Sequence, residues 1–226
     1  MWKGLLAVVL MSCSFAALAA PPAARTLVLV RHGHYAADPA ADPVLGPNLT
    51  TLGVAQARLV GGRLATERFD SLSVSPLQRA RDTAAGMQLP TSDKAFDVID
   101  DLAECTPPSH DPRVARMATP EQQDACRVQF ERLVATYFKP ADGAERRELL
   151  VCHGNVIRYL LMRALGVDEK AYLSLSVGHA SVSTIRIDAD GRIQVLSAGD
   201  LGHVPAKLRT GAAGDPERSL AVEALR

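Results

Sequence analysis

The sequence predicts an α/β fold: a three-layer αβα sandwich whose mostly parallel, doubly wound sheet carries an antiparallel edge. Three observations predict it. Short β-branched and Leu-rich runs alternate with longer stretches of helical periodicity. The first run, Thr26–Arg31 (TLVLVR), is apolar without alternation, as in a strand covered on both faces. Near the end, Val182–Asp188 and Arg192–Ser197 flank Ala189-Asp190-Gly191 and read as a hairpin.

The elements follow in order. Pro39–Asn48, rich in Pro, Asp and Gly, is a loop, and Leu49–Glu67 a helix with Leu52, Ala55, Leu59 and Gly62 on one stripe and Thr50 or Thr51 as its cap. Phe69–Ser75 is a second strand. Pro76 opens the next helix, which runs to Gly86. Ala95–Ile99 is a short third strand. Asp100–Pro120 holds four prolines and is too long for a mere connector, which makes it a functional-loop candidate. Glu121–Phe138 is amphipathic, with Cys126, Phe130, Leu133, Val134 and Tyr137 aligned. Glu148–Cys152 is a fourth strand, and Asn155–Leu165 the helix that follows it.

Composition excludes several classes. The 226 residues carry 25 Lys+Arg against 25 Asp+Glu, so no general basic surface for nucleic acid exists. One Trp, four Tyr and five Phe are too few for a platform that stacks bases. No apolar run of about eighteen residues lies beyond the N-terminus. No nucleic-acid partner is expected.

Residues 1–19 read as an export signal. Lys3 begins it, Leu5–Leu10 is its greasy centre, Ala17-Leu18-Ala19 supplies small residues for cleavage, and Pro21-Pro22 stops it. The expected location is periplasmic or secreted, with no membrane contact after cleavage. An uncleaved anchor or a lipobox at Cys13 is the alternative. Residues 20–209 form the catalytic domain and 210–226 a frayed tail. Cys105 and Cys126 can pair in an oxidising compartment, closing a loop of about 20 residues worth ~3 kcal/mol. Cys152, inside an apolar strand, reads as a buried free thiol.

Ligands of such sheets bind beyond the carboxyl ends of the strands. The first strand ends in Arg31-His32-Gly33-His34 and the fourth in Cys152-His153-Gly154-Asn155. The second ends at Ser75, with Arg79 on the helix after it, and Glu104 lies in the Pro-rich loop. Arg31 and Arg79 offer planar forks for phosphoryl oxygens. Protonated His153 adds a donor, and the Gly154 N–H at a helix start adds another. His32, kept neutral in a positive pocket, can attack phosphorus and become a phosphohistidine. Glu104 can protonate the leaving alcohol and then take a proton from water. Side chains supply the positive charge, so no metal and no cofactor is expected. His34, Asn155 and His179 are candidates for the pocket rim.

These pieces resemble the histidine phosphatase superfamily in its phosphoglycerate-mutase-like branch. They are Arg31-His32-Gly33, Leu49-Thr50-x-x-Gly53-x-x-Gln56-Ala57, Ser75-x-x-x-Arg79-Ala80-x-x-Thr83-Ala84, Leu102-x-Glu104 and His153-Gly154-Asn155. Val151–Tyr159, Glu104-x-x-Pro107-Pro108 and Gly199-Asp200-x-Gly202-x-x-Pro205 are similar to the mitochondrial Ser/Thr phosphoprotein phosphatases of that branch. The resemblance implies His32 as phosphoacceptor, Glu104 as acid/base, and Arg31, Arg79 and His153 around the phosphate. It implies a phosphorylated small molecule or phosphoprotein as substrate, and a homodimer as one state. The stretch His34-Tyr35-Ala36-Ala37-Asp38 departs from the mutases, which favours hydrolysis over a mutase-type phosphoryl transfer. Two rivals stay open: a catalytically weak phosphate- or phosphoprotein-binding module, and a metal site on His32, His34, Cys152 and His153.

Overall fold

A computed structural model describes residues 20–90 and 94–211. The expected signal segment, with Lys3 and Cys13, lies outside the described residues, as do residues 212–226. In chain order the elements are β1 (Pro22–Ala23), β2 (Arg25–Arg31), α1 (Thr51–Leu64), β3 (Ser71–Val74), α2 (Gln78–Met87), β4 (Asp97–Val98), α3 (Pro120–Tyr137), β5 (Ala141–Asp142), β6 (Arg146–Cys152), α4 (Gly154–Leu165), β7 (Val182–Ile187) and β8 (Ile193–Asp200). Short 3-10 turns occupy Asp100–Leu102, Pro112–Arg116, Glu169–Ser174 and Ala206–Leu208.

The main sheet has the order β4-β3-β6-β2-β7-β8. Neighbours from β4 to β2 are parallel, and the hairpin β7–β8 joins antiparallel beside β2. This is the mixed sheet that the alternation of strands and helices predicts. Alternate residues of β2 face opposite layers, as the pleat requires. Leu27 and Leu29 pack with Phe130 and Leu133 of α3 and Ile157 and Leu160 of α4. Val28 and Val30 pack with Val60 and Leu64 of α1 and Ala80, Ala84 and Met87 of α2. Burial on both sides explains why β2 reads as an unbroken apolar run.

Helix boundaries follow local chemistry. The Thr50 hydroxyl accepts from the Gly53 N–H and caps α1. Leu49 stays outside that helix because its N–H goes to Asp82 Oδ2 (3.0 Å) and its backbone bridges Tyr35. Thr119 and Gln122 form a reciprocal capping box at α3, with Pro120 at its first position. Gly166, at φ +66°, turns the chain out of α4.

Some expectations need correction. Helix α2 begins at Gln78, two residues beyond Pro76, because Leu77 still holds an extended backbone. The third strand shrinks to two exposed residues, since an edge pairing only with Ser73 and Val74 has nothing to bury. Of the stretch read as a frayed tail, Thr210 is instead buried and hydrogen-bonded, and Gly211 packs beside it. Cys105 and Cys126 form a disulfide that ties the Pro-rich loop to α3, while Cys152 is a buried free thiol. Among the described residues, no helix is long and apolar enough to cross a membrane.

Candidate active site

The register of two adjacent parallel strands creates the site. Arg31 pairs with Cys152, so His32 and His153 leave the sheet side by side, and the His32 N–H donates to Cys152 O (3.0 Å). Their ring centroids lie 5.0 Å apart. Both imidazoles are buried. The neighbouring strand β3 delivers Ser75, and α2 brings Arg79 over the same edge.

The protonation pattern of His32 follows from its two partners. Nδ1 lies 2.8 Å from Gly33 O, a carbonyl that only accepts, so Nδ1 carries the hydrogen. Arg79 Nε donates to Nε2 at 3.3 Å, and a guanidinium never accepts, so Nε2 presents its lone pair. Burial holds the His32 pKa well below the ordinary imidazole range, helped by His153, Arg31, His179 and Arg79. The ring is a neutral base with Nε2 directed at the arginine. Gly33 is required bare here: a Cβ would meet Gly53 O at 2.6 Å.

His153 caps the N-terminus of α4. Its Nε2 lies 2.7 Å from Ser75 Oγ, which also accepts from the Leu77 N–H (3.2 Å). When the serine hydroxyl donates to Nε2, the ring hydrogen sits on Nδ1. That Nδ1 is buried without a partner, and so is Arg31 Nε. The protonated form of His153, which would add a donor, is disfavoured here. Burial, then Arg79 and Arg31, push its pKa well below the ordinary range.

Arg31 stays cationic at neutral pH. Its pKa falls to about 10, first through desolvation and next through the Arg158 guanidinium. The Gly154 backbone passes so close that a Cβ would lie 3.4 Å from Arg31 Cζ and Nε. Arg79 Cζ sits 4.9 Å from the centre of the Tyr35 ring, which gives the guanidinium a flat support.

Glu104 reaches α4 from the Pro-rich loop. The Asn155 N–H donates to its two oxygens at 3.2 and 3.3 Å, and Asn155 Nδ2 donates to Cys105 O (2.9 Å). Burial raises the Glu104 pKa, although Arg31, the Asn155 N–H, Arg79 and Arg158 pull the other way. Desolvation wins, which favours a carboxyl that can still give a proton.

The rim residues also converge. His34 Nδ1 pairs with Thr50 Oγ1 (2.8 Å), and His179 Nε2 lies 3.2 Å from Arg31 NH2. Tyr35, Ser75, Arg158, Thr210 and Gly211 contribute without having been assigned roles from sequence. Arg158 lies one turn after Gly154 on α4, within the Val151–Tyr159 stretch, and donates to Asn155 Oδ1 (3.2 Å) and Leu175 O (3.0 Å). Ala180, at φ +59°, donates its N–H to Arg31 O and His32 O, a strained turn behind the two residues. His110 and His203 stay away: His110 pairs with Asp168, and His203 donates to Ala180 O. Arg146 and Arg147 pair with Glu148 and Glu67.

The metal reading loses its donor set. Cys152 packs in the core against Leu27 and Ile157, and burial pushes its thiol pKa up. Among the described residues, no group of three or more His, Cys, Asp or Glu is arranged to hold a metal ion. What the site offers is an uncharged imidazole with its lone pair on Nε2, two unpartnered buried nitrogens, two guanidinium forks and a carboxyl.

The sequence model described as histidine phosphatase superfamily (branch 1) matches residues 27–107 and 107–200. The chain belongs to this family. It is 34% identical over 190 residues to the serine/threonine-protein phosphatase Pgam5, mitochondrial, of Caenorhabditis elegans, covering 81% of this chain and 65% of that protein. The human PGAM5 phosphatase is 32% identical over 193 residues, again with 81% and 65% covered. The chain spans just under two thirds of the length of these curated relatives. Its fold is that of phosphoglycerate mutase from Bacillus anthracis str. Sterne, at 19% identity and a TM-score of 0.62, covering 81% and 96% of the two chains. The alpha-ribazole phosphatase from Shigella flexneri matches at 21% identity and a TM-score of 0.59, with 77% and 96% covered. The expected periplasmic or secreted location is corrected by these relatives, which carry mitochondrial names. An apolar leader such as residues 1–19 is general targeting chemistry and does not specify the compartment.

Proposed function

We propose that the chain is a phosphomonoesterase that works through a phosphohistidine on His32, without a metal ion. The observation that supports this reading is the pair of buried, unpartnered nitrogens, Arg31 Nε and His153 Nδ1, beside a histidine whose lone pair is on Nε2. A buried donor without an acceptor is costly, and a tetrahedral oxyanion supplies acceptors to both.

The reaction follows from the geometry. Phosphoryl oxygens are held by the Arg31 and Arg79 forks, by neutral His153 and by the N-terminal end of α4 at Gly154. The Nε2 lone pair of His32 attacks phosphorus as the bond to the leaving oxygen breaks. Glu104 gives that oxygen its proton. The resulting carboxylate takes a proton from water, whose oxygen displaces His32 and releases orthophosphate. His32 remains uncharged until it is phosphorylated, so it needs no base of its own.

The names of the relatives support phosphoserine and phosphothreonine in proteins as substrates, in a mitochondrial setting. Purified protein, offered a panel of phosphopeptides and small phosphomonoesters, should release orthophosphate to water. Transfer to a second sugar or glycerate acceptor, with no free orthophosphate, points instead to the transferase. Binding without turnover points to the weak binding module.

A further inference from the structure

The Arg31 fork is held by Val177 and His179, and His179 is held in turn by Thr210, which lies beyond the family match ending at residue 200. Arg31 NH1 donates to Val177 O (2.6 Å) and NH2 donates to His179 Nε2 (3.2 Å). Since the guanidinium can only donate, His179 Nε2 must present a lone pair, and its neutral ring must carry hydrogen on Nδ1. That Nδ1 lies 3.0 Å from Thr210 Oγ1.

The same hydroxyl is held by Gln56. Gln56 Nε2 donates to Leu208 O (2.7 Å) and to Thr210 Oγ1 (2.9 Å), while its Oε1 accepts from the His34 N–H (2.8 Å). A carbonyl on one side and an N–H on the other fix which way the buried amide faces. Thr210 Oγ1 thus accepts from Gln56 and has a second lone pair for His179 Nδ1–H. The backbone repeats the contact, with the His179 N–H donating to Thr210 O (2.9 Å). Gly211, at φ +70°, then lies so close that a Cβ would sit 2.8 Å from His179 Nδ1 and 3.1 Å from Arg31 NH1.

We propose that Thr210 is a positioning residue: its hydroxyl holds His179 in the Nδ1–H tautomer, and His179 thereby aims the Arg31 fork at the oxyanion. The proposal rests on the phosphohydrolase reading and adds a residue that no motif contains. Without the hydroxyl, hydrogen on Nδ1 is buried with no side-chain acceptor, which opposes the tautomer that Arg31 NH2 requires. With hydrogen on Nε2 it confronts Arg31 NH2 donor to donor.

The test uses the full chain, with Thr210→Val removing the hydroxyl at nearly constant shape and Thr210→Ser keeping it. Orthophosphate affinity is read by titration calorimetry, and the His179 tautomer by proton–nitrogen correlation spectra assigned with His179→Asn. The parent should show His179 with hydrogen on Nδ1. Thr210→Val should lose that signature and bind orthophosphate about tenfold more weakly, a change of ~1.4 kcal/mol. Thr210→Ser should restore both to within about twofold. A parent spectrum with hydrogen on Nε2, or on both nitrogens, overturns the proposal even if Thr210→Val fails to fold. Thr210→Ala, tolerant of a tight strap, replaces the valine in that event. Affinity unchanged in the hydroxyl-free variant, or a serine variant as weak as the valine, also overturns it. The expected tautomer in a parent that binds no orthophosphate refutes the phosphohydrolase reading, and leaves the Thr210–His179 assignment standing.

Discussion

Arg79 Nε donates to His32 Nε2 at 3.3 Å, so the cation that would grip the phosphoryl group also marks the nitrogen proposed to attack it. The contact keeps the Nε2 lone pair directed into the pocket until an oxyanion takes over the guanidinium. Arg79→Lys keeps the charge but loses the fork and the flat contact with Tyr35. It should lower kcat/KM by roughly 10- to 100-fold, a loss of about 1.5–3 kcal/mol expected for a charged hydrogen bond. Steady-state kinetics check this, and a lysine variant at parent rate contradicts a bidentate role for Arg79.

Burial raises the pKa of Glu104 beside the N-terminus of α4, as the proposed general acid requires. Glu104→Gln should slow an alkyl phosphate by about 100-fold or more, within the range of general acid catalysis, and a nitrophenyl phosphate far less. For the parent, turnover of alkyl phosphates should fall as pH rises through the raised Glu104 pKa, because the proton is lost. Equal slowing of both substrates removes Glu104 from the acid step.

Three histidines are buried neutral, and this links stability to pH. His32 and His153 titrate well below the ordinary range and His179 near about 2, each chiefly through burial. In the unfolded chain they bind protons below about pH 6.5, while the folded chain does not, so each stabilises the fold above that pH. The contribution is lost as pH falls from about 6.5 toward the folded values, at about 1.4 kcal/mol per unit of depression. Glu104, raised by burial, offsets part of this only below its own folded pKa. Urea midpoints measured from pH 8 to 4.5 should fall with acid. His179→Asn should flatten the slope, and an unchanged slope counts against a neutral His179.

The Cys105–Cys126 disulfide holds the residue next to Glu104 against α3. Cys105 O also accepts from Asn155 Nδ2, whose backbone N–H holds the Glu104 carboxylate. Replacing both cysteines with serine should cost about 2–4 kcal/mol of stability. It should also slow alkyl phosphates more than nitrophenyl phosphates, because the loosened loop carries the acid. Denaturant titration and the two substrates read these effects separately.

Gly53 sits where α1 starts beneath the His34 backbone, and a Cβ there would meet His34 O at 2.1 Å. Gly53→Ala must push apart the β2 exit and α1, at a cost of about 1–3 kcal/mol. Because the displaced segment carries His32 and His34, activity should fall along with the thermal midpoint. A stable, fully active alanine variant shows that the seam can shift freely.

Much of this site is legible in the sequence because parallel strands end at one edge. The Arg31-His32 and Cys152-His153 pairs each close an apolar run, and adjacent register brings them together. Arg79 and Glu104 need only the turn after β3 and the loop after β4. Other contributions depend on contacts that no local pattern encodes. Ser75 meets His153 across 78 positions of sequence, and Gln56 meets Thr210 across 154. Thr210 follows the last strand in a Gly- and Ala-rich stretch, so composition alone reads it as a loose end. The neutral state of His153 is likewise a product of burial, which a list of nearby charges does not reveal.

The most direct measurement is an acid- or alkali-quenched mixture of enzyme and labelled substrate, with the phosphorylated residue mapped by mass spectrometry. The account predicts an acid-labile, alkali-stable phosphate on His32, absent with His32→Ala, which should also lose turnover. Phosphate mapped to any other residue, or a His32→Ala variant that still turns over at the parent rate, contradicts it.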